Sequence, residues 1–344
     1  MTRRPRARRA GPRRPRAGPS RRTPGRIVVA AAAILALILA FGGWRYLGPG
    51  PGRGVDVMLP AGAGLAGIGR DLAKAGVVRS QTGFIIAAVL SGAAHRLKAG
   101  EYRFGAREPL AQVISAIARG EVVRRFVTIP EGLTSREVVA ILLRADYLAG
   151  PAPVPPEGSL LPETYEVRRG ERRSSVLQRM AAAREQLLGQ LWAARTPGLP
   201  FDSKEQAVIL ASVVEKETAL AAERPQVAAV FINRLRKGMR LESDPTVIYG
   251  VSGGAPLGHG LRVSELAASS PYNTYRVAGL PPTPIDNPGR ASLAAALSPA
   301  PGAALYFVAD GAGGHAFADT FEAHRRNVAR WRAIEQARRA RPAA

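Results

Sequence analysis

The chain of 344 residues contains no cysteine. That excludes a thiolate nucleophile, a disulfide framework and cysteine-bound zinc, so any folded part must rest on an ordinary hydrophobic core. Histidine is scarce too. His95, His259, His315 and His324 are the only four, and no two have the i, i+4 spacing of a helical metal site, so neither a metal nor a cofactor is expected. Acidic residues are missing from residues 1–26, which hold eleven arginines and several prolines. Such a segment cannot bury a core and is expected to be a disordered tail. It accounts for nearly half of the formal +23 charge and leaves +12 for the rest of the chain. With the basic charge so concentrated next to an apolar run, nucleic acid is not the expected partner.

Ile27 to Trp44 is a run of eighteen residues without a charge. It approaches the lower limit for a membrane-spanning helix, with Trp44 and Tyr46 placed for an interfacial belt and Arg45 able to snorkel. A cleaved signal peptide is the competing reading, but no small-residue cleavage site is evident after Phe41 and the run is longer than the usual signal core. The expectation is a transmembrane helix over 27–47, anchored once in the cell (inner) membrane. Because the arginines lie N-terminal to it, the N-terminus is expected in the cytoplasm and everything after about residue 48 on the extracytoplasmic or periplasmic side.

Gly48–Gly54, with glycine or proline at six of seven positions, reads as a linker. Two similar stretches come next, 70 positions apart. Val57-Met-Leu-Pro-Ala-Gly62 and Val127-Thr-Ile-Pro-Glu-Gly132 each read as a short strand, a Pro-x-Gly turn and an amphipathic helix. Helices over 83–90 and 110–118 and a strand over 100–104 lie between them. The expected organisation is a small α+β module at 55–125, a second strand–helix unit with connecting region at 126–200, and a helix-rich domain at 201–338. The module suits a glycan-binding surface, or it only spaces the helix-rich domain away from the membrane. Further on, a charged helix is expected over 172–191, a helix restart at Pro225, a buried strand over 305–308, and a basic C-terminal helix from about Thr320.

The most informative stretch is Ala207-Val-Ile-Leu-Ala-Ser-Val-Val-Glu-Lys-Glu-Thr218. At helical period Glu217 continues the apolar face of Leu210, Val213 and Val214, with Leu220 beyond it, whereas Glu215 falls on a smaller, more polar flank. A carboxyl held against aliphatic side chains has its charged form disfavoured and can carry a proton near neutral pH. A general acid for glycosidic cleavage needs that property. On the local sequence alone, a helix end with solvated or capping glutamates fits better, and the segments downstream reverse that; Glu215 is expected to be the more solvated of the two. Glu223 could pair with Arg224 or Arg234 and reads as structural.

Nine short segments occur in one order. They are Leu-Pro-Glu-Thr-Tyr (161–165), Ala-Ser-Val-Val-Glu-Lys-Glu-Thr (211–218), Val-Phe-Ile-Asn-Arg-Leu (230–235), Gly-Met-Arg-Leu (238–241) and Asp-Pro-Thr-Val-Ile-Tyr-Gly (244–250). Ser-Pro-Tyr-Asn-Thr-Tyr (270–275), Gly-Leu-Pro-Pro (279–282), Tyr-Phe-Val (306–308) and Gly-Gly-His-Ala-Phe (313–317) complete the series. Together they resemble the endolytic murein transglycosylases, the MltG or YceG-like family, over about residues 27–335. The resemblance implies an α+β architecture: an N-terminal transmembrane helix, a LysM-like module and a mixed, helix-rich lytic transglycosylase domain. It implies cleavage between N-acetylmuramic acid and N-acetylglucosamine inside nascent glycan strands, leaving 1,6-anhydro ends and helping to terminate elongation, with peptidoglycan synthases or penicillin-binding proteins as possible partners.

The family's acid falls on Glu217. It would protonate the departing oxygen and then act as base toward the muramoyl C6 hydroxyl, so the nucleophile belongs to the substrate. Asp244, Tyr249, Tyr272 and Asn273 are the candidate substrate-binding residues, Tyr272-Asn273 by resemblance to a Tyr-Asn element of lytic transglycosylases. The plain alternative makes Asp244-Pro-Thr a capped turn and the tyrosines core. The chain departs from the family pattern at Leu161-Pro-Glu163, at Glu242 and Ser243, where a glutamine is common, and at Thr283, where glycine is usual. Two other functions stay open: a hydrolysing muramidase with Asp244 as second carboxylate, and a non-catalytic glycan-binding scaffold. A reporter fused after Ala344 should be active only outside the cytoplasm; cytoplasmic activity of that fusion would contradict the topology.

Overall fold

The computed structural model describes residues 24–340; the expected tail of residues 1–26 lies outside the described residues except for its last three. The described chain forms two compact units that divide between Val123 and Arg124.

In the first unit, helix α1 (Pro24–Leu47) takes in the whole uncharged run. Its side chains from Arg26 to Arg45 are exposed, and Arg26–Leu47 is long and apolar enough to cross a membrane. The glycines and prolines after it are not a free tether. The Gly50 N–H donates to the Arg107 carbonyl at 2.9 Å and the Arg107 N–H to the Gly52 carbonyl at 2.8 Å, so Gly48–Gly54 is strapped onto the module. There, β1 (Val55–Leu59), α2 (Leu65–Lys74), α3 (Gln81–Leu90), β2 (Gly100–Phe104) and α4 (Leu110–Arg119) come in order. The strands pair antiparallel, Val55 opposite Phe104 and Leu59 opposite Gly100. Alternation puts Val57, Leu59, Tyr102 and Phe104 on the buried face, where they meet Ile68, Leu72, Phe84 and Ile117 from the helices. Tyr102 can be fully buried because its hydroxyl donates to the Lys98 carbonyl at 2.8 Å.

The second unit opens with β3 (Arg125–Thr128), α5 (Ser135–Arg144), β4 (Leu148–Ala149), β5 (Thr164–Val167), β6 (Glu171–Arg172) and α6 (Arg173–Ala193). β3 pairs antiparallel with β5, and β4 parallel with β6. The repeated strand–turn–helix pattern is real in both units, and each turn uses its glycine in a left-handed conformation, Gly62 at φ 82° and Gly132 at φ 73°. A helical layer then forms from α7 (Lys204–Glu217), α8 (Arg224–Arg236), α9 (Asp244–Ser252), α10 (Val263–Leu266) and α11 (Arg290–Leu297). A ribbon of β7 (Tyr306–Ala309) with β8 (His315–Ala318) and the terminal helix α12 (Phe321–Ala340) complete it. Residues 124–200 share the core of this layer: Leu161, Leu187 and Leu188 pack with Val214, Phe231 and Leu293.

Two local expectations change. Asp244-Pro-Thr, in the plain alternative a turn with a helix cap, is the first turn of α9 with the cap position one residue earlier at Ser243, and Pro245 sits where its missing N–H costs nothing. The strand expected to be buried over 305–308 is β7, half-buried throughout, because it belongs to a two-stranded ribbon rather than a central sheet.

Asn287, fully buried, joins the two halves of the unit. Its amide donates to the Leu133 carbonyl and the Ser135 hydroxyl, both at 3.1 Å, and its side-chain oxygen accepts the Leu160 N–H at 3.0 Å. Asn287→Ala strands these buried partners and should lower unfolding free energy by about 2–3 kcal/mol, read as a lower denaturant midpoint; an unchanged midpoint would contradict this role.

Candidate active site

Helix α7 starts at a capping box, in which the Ser203 hydroxyl accepts the Gln206 N–H and Gln206 reaches back to the Ser203 backbone. From Ala207 to Val214 every residue is buried, so α7 is a core helix enclosed on all sides. It ends because Thr218 adopts an extended backbone. The buried helix therefore delivers Glu215 and Glu217 to a site at its C-terminus, where the helix dipole also disfavours negative charge.

The two glutamates have different surroundings, though not as the helical-face argument expects. Glu215 is not solvated: only 5% of its side chain is exposed, and it pairs with Arg224 at 2.7 Å. Its other oxygen accepts the Gly289 N–H at 2.9 Å, and Arg224 reaches Glu131 at 3.1 Å. A Cβ at Gly289 would collide with the Glu131 carboxylate, so only glycine allows this packing. Glu215 is thus held by an ion pair and a backbone hydrogen bond.

Glu217 has no basic group within ion-pair distance among the described residues; the Ser243 hydroxyl donates to its Oε1. Burial is the largest influence and pushes the Glu217 carboxyl up to about 7, and the neighbouring Asp244 charge adds to the rise. The Ser243 hydrogen bond and the more remote charges of His315 and Arg234 pull the other way and are outweighed. Leu220, expected against Glu217, is exposed.

Around Glu217 the chain is stitched by hydroxyls. Ser243 precedes α9 and donates its N–H to the Thr274 hydroxyl at 2.9 Å; Thr246 and Thr274 hydroxyls lie 2.8 Å apart. Asp244 is exposed and accepts the Tyr275 hydroxyl at 2.7 Å. Tyr249 and Tyr272 are half-buried, with ring centroids 5.0 Å apart, and the Tyr272 hydroxyl lies 2.8 Å from that of Thr283, one of the departures from the family pattern. Burial pushes the Tyr249 phenol up to about 12, which keeps it a neutral donor. Asn273 is placed differently from its neighbour. Fully buried, it donates to the Leu266 and Ala268 carbonyls at 2.9 and 2.8 Å and accepts the Tyr275 N–H, so its amide is committed to the loop.

Several residues at the site escape sequence reasoning. Ser243 and Tyr275 are the two direct polar contacts of Glu217 and Asp244; Tyr275 ends one of the nine segments and Ser243 immediately precedes another, but nothing in the spacing selects them. Glu223 pairs with neither arginine proposed for it. Its Oε2 lies 2.7 Å from His315 Nδ1, its Oε1 accepts the His315 N–H at 2.8 Å, and the Thr218 hydroxyl donates to it at 3.2 Å. Burial raises the Glu223 carboxyl, but these His315 contacts outweigh it and hold the group below its usual range. His315 is thereby fixed near Glu217. Asp286, fully buried and without a hydrogen-bond partner among the described residues, is raised well above the ordinary range by burial, to which the Glu215 charge adds and against which Lys216 pulls. Among the described residues there is no group of three or more His, Asp or Glu side chains suited to a metal.

The geometry defines an α+β protein with a desolvated carboxyl at the end of a core helix, bonded by a serine hydroxyl. A model of the YceG-like family matches residues 57–330, and the chain belongs to that family. It is similar to an endolytic murein transglycosylase of Streptococcus pneumoniae, serotype 2, 27% identical over 361 aligned residues that cover 88% of this chain and 64% of that one. The chain therefore spans slightly under two thirds of the length of that relative. An endolytic murein transglycosylase of Bacillus subtilis is 41% identical over 124 residues, 36% of this chain and 33% of that one. The crystal structure of a yceG-like protein from Listeria monocytogenes aligns at a TM-score of 0.48 and 26% identity, covering 80% of this chain and 98% of that one.

The raised carboxyl has a consequence for stability. With a folded value of about 7 against an ordinary 4.5, the folded state holds the Glu217 proton more tightly than the unfolded state does. The resulting penalty is absent below about pH 4.5, grows between there and 7, and is full above 7. Glu217→Gln should therefore be more stable than the wild type by about 3 kcal/mol at pH 8 and nearly equal to it at pH 4. Equal stabilities at both pH values would show that the carboxyl is not desolvated.

Proposed function

We propose that the protein is a membrane-anchored endolytic lytic transglycosylase, with Glu217 as its one catalytic carboxyl. The observation that carries this reading is a carboxyl raised by burial to about 7, at the position where the sequence resemblance puts the family's acid. Glu217 protonates the glycosidic oxygen between N-acetylmuramic acid and N-acetylglucosamine. As a carboxylate it then accepts the proton of the muramoyl C6 hydroxyl, which attacks the anomeric carbon of the same sugar. The C1–O bond to the leaving sugar breaks, the intramolecular C6–O–C1 bond forms, and Glu217 ends protonated as it began. A value near 7 suits both halves, since neither protonation state is far from populated.

Ser243 holds one carboxyl oxygen of Glu217 and leaves the other for the substrate. Asp244, Tyr249 and Tyr272 supply a carboxylate and aromatic faces for sugar rings, and Asn273 acts through them by fixing the loop that carries Tyr272. A hydrolase would need a second carboxylate placed to activate water or attack carbon; Asp244 is engaged by the Tyr275 hydroxyl, which disfavours that role. Helix α1 is read as the anchor, with the N-terminus cytoplasmic, and the βααβα module as a LysM-like glycan-binding element. Peptidoglycan strands are the substrate in this reading, and the synthases that make those strands the fitting partners.

Digestion of purified glycan strands tests it. Anhydro-ended products should appear, one water lighter than hydrolysis products, and Glu217→Gln should slow their release by about 10²–10⁴-fold while remaining folded. In the wild type kcat/KM should fall as pH rises through about 7, because the acid form is lost. Glu215→Gln should act on folding, through the Arg224 pair it weakens, and not on product type. Products of hydrolytic mass, or normal turnover by Glu217→Gln, would overturn the assignment.

A further inference from the structure

Helix α3 has two apolar faces, and only one of them is used by the module. Phe84 and Ala88 are fully buried in the core, whereas Ile86, Val89 and Leu90, at i, i+3 and i+4, are 55%, 56% and 81% exposed. After Gln81 and Thr82 the helix has no polar side chain, so this outer face offers water nothing to bond. Such a cluster on a small module marks an interaction surface.

Its position indicates what covers it. A cavity of about 710 Å³ separates α3 from the C-terminal half of α1, with Ile38, Leu39 and Phe41 on one wall and Ile86, Ala87 and Leu90 on the other. Ile38 lies six residues before Trp44, about 9 Å deeper along the helix axis at 1.5 Å per residue. The cavity that the outer face of α3 lines thus runs from Tyr46 and Arg45, beside the aromatic interfacial residues of α1, down to Ile38 beneath them. That depth matches the 5–10 Å to which interfacial helices bury their apolar side. Cations accompany the aromatic residues at this end of α1: the Arg45 guanidinium lies 5.6 Å from the Phe41 ring and that of Arg79 lies 5.9 Å from the Trp44 ring. Every α1 residue on the cavity wall up to Arg45 is exposed, so the medium surrounding α1 is continuous with the cavity.

We propose that the outer face of α3 and the cavity against α1 form a lipid-docking surface, with acyl chains of the adjoining leaflet filling the cavity and seating the module on the membrane. This rests on the reading of α1 as a membrane anchor. The strapped Gly48–Gly54 segment fits it, since a module seated in lipid has no use for a loose tether.

The absence of cysteine makes the test direct. In the full-length chain, Leu37→Cys on α1, Leu90→Cys on α3 and Arg103→Cys on β2 are each labelled with an environment-sensitive fluorophore. The proteins are reconstituted in vesicles of phosphatidylethanolamine and phosphatidylglycerol carrying a spin-label quencher near the top of the acyl chain. The expected result is a blue-shifted emission and quenching of roughly two-fold or more at positions 37 and 90, with little at 103. Quenching at 37 without quenching at 90 would overturn the proposal and leave the anchor standing. A probe at 90 shielded from water yet not quenched would overturn it in favour of a protein partner. No quenching at 37 would refute the anchor itself, and the docking surface with it.

Discussion

Burying a carboxyl group without a cation in contact with it is unfavourable, and the second unit is organised around a helix end where this happens to Glu217. Helix α7 is enclosed by apolar packing from Ala207 to Val214, which limits the water that can reach a charge on the core side of its end. Two acidic residues arrive there, two positions apart. The fold resolves them in opposite ways: Glu215 receives the Arg224 guanidinium, and Glu217 receives a serine hydroxyl and is driven toward its neutral form. Environment sets different roles for two chemically identical groups.

The neighbouring elements make sense as support for that difference. Arg224 opens α8 and is shared by Glu215 and Glu131, which ties the strand–turn region of the unit to the helical layer. Asn287 and Gly289 secure the same seam from the other side. Ser243 is positioned by the start of α9 and by the Thr246–Thr274 pair, so a hydroxyl and not a cation meets Glu217. His315 approaches from β8 but is bound to Glu223, which keeps its charge at one remove from Glu217.

Much of this was legible from residue order. The uncharged run defined α1, the 3.6-residue period gave α7 and α8, and the repeated Pro-x-Gly turns located two strand–helix starts. Periodicity singled out Glu217, yet its reason was incomplete, because Glu215 is buried as well. What separates the two is the partner each finds, and Arg224 and Ser243 are brought there by tertiary packing that a local pattern does not encode. Glu223–His315 joins residues 92 positions apart, and no spacing rule reaches that far. β8 escaped notice because His-Ala-Phe-Ala is too short to alternate convincingly and is defined by pairing with β7. Asn273 sits in a recognisable motif, but only the fold reveals that its amide faces backbone carbonyls.

The central claim is that the Glu217 carboxyl carries a proton near neutral pH. Isotope-edited infrared spectroscopy of the full-length protein, with ¹³C-labelled glutamate and Glu217→Gln as the difference reference, measures it directly. The account predicts a protonated-carboxyl stretch that is lost in the variant and titrates with a midpoint near 7. A Glu217 band already fully ionised at pH 6, with a midpoint near the ordinary 4.5, would contradict it.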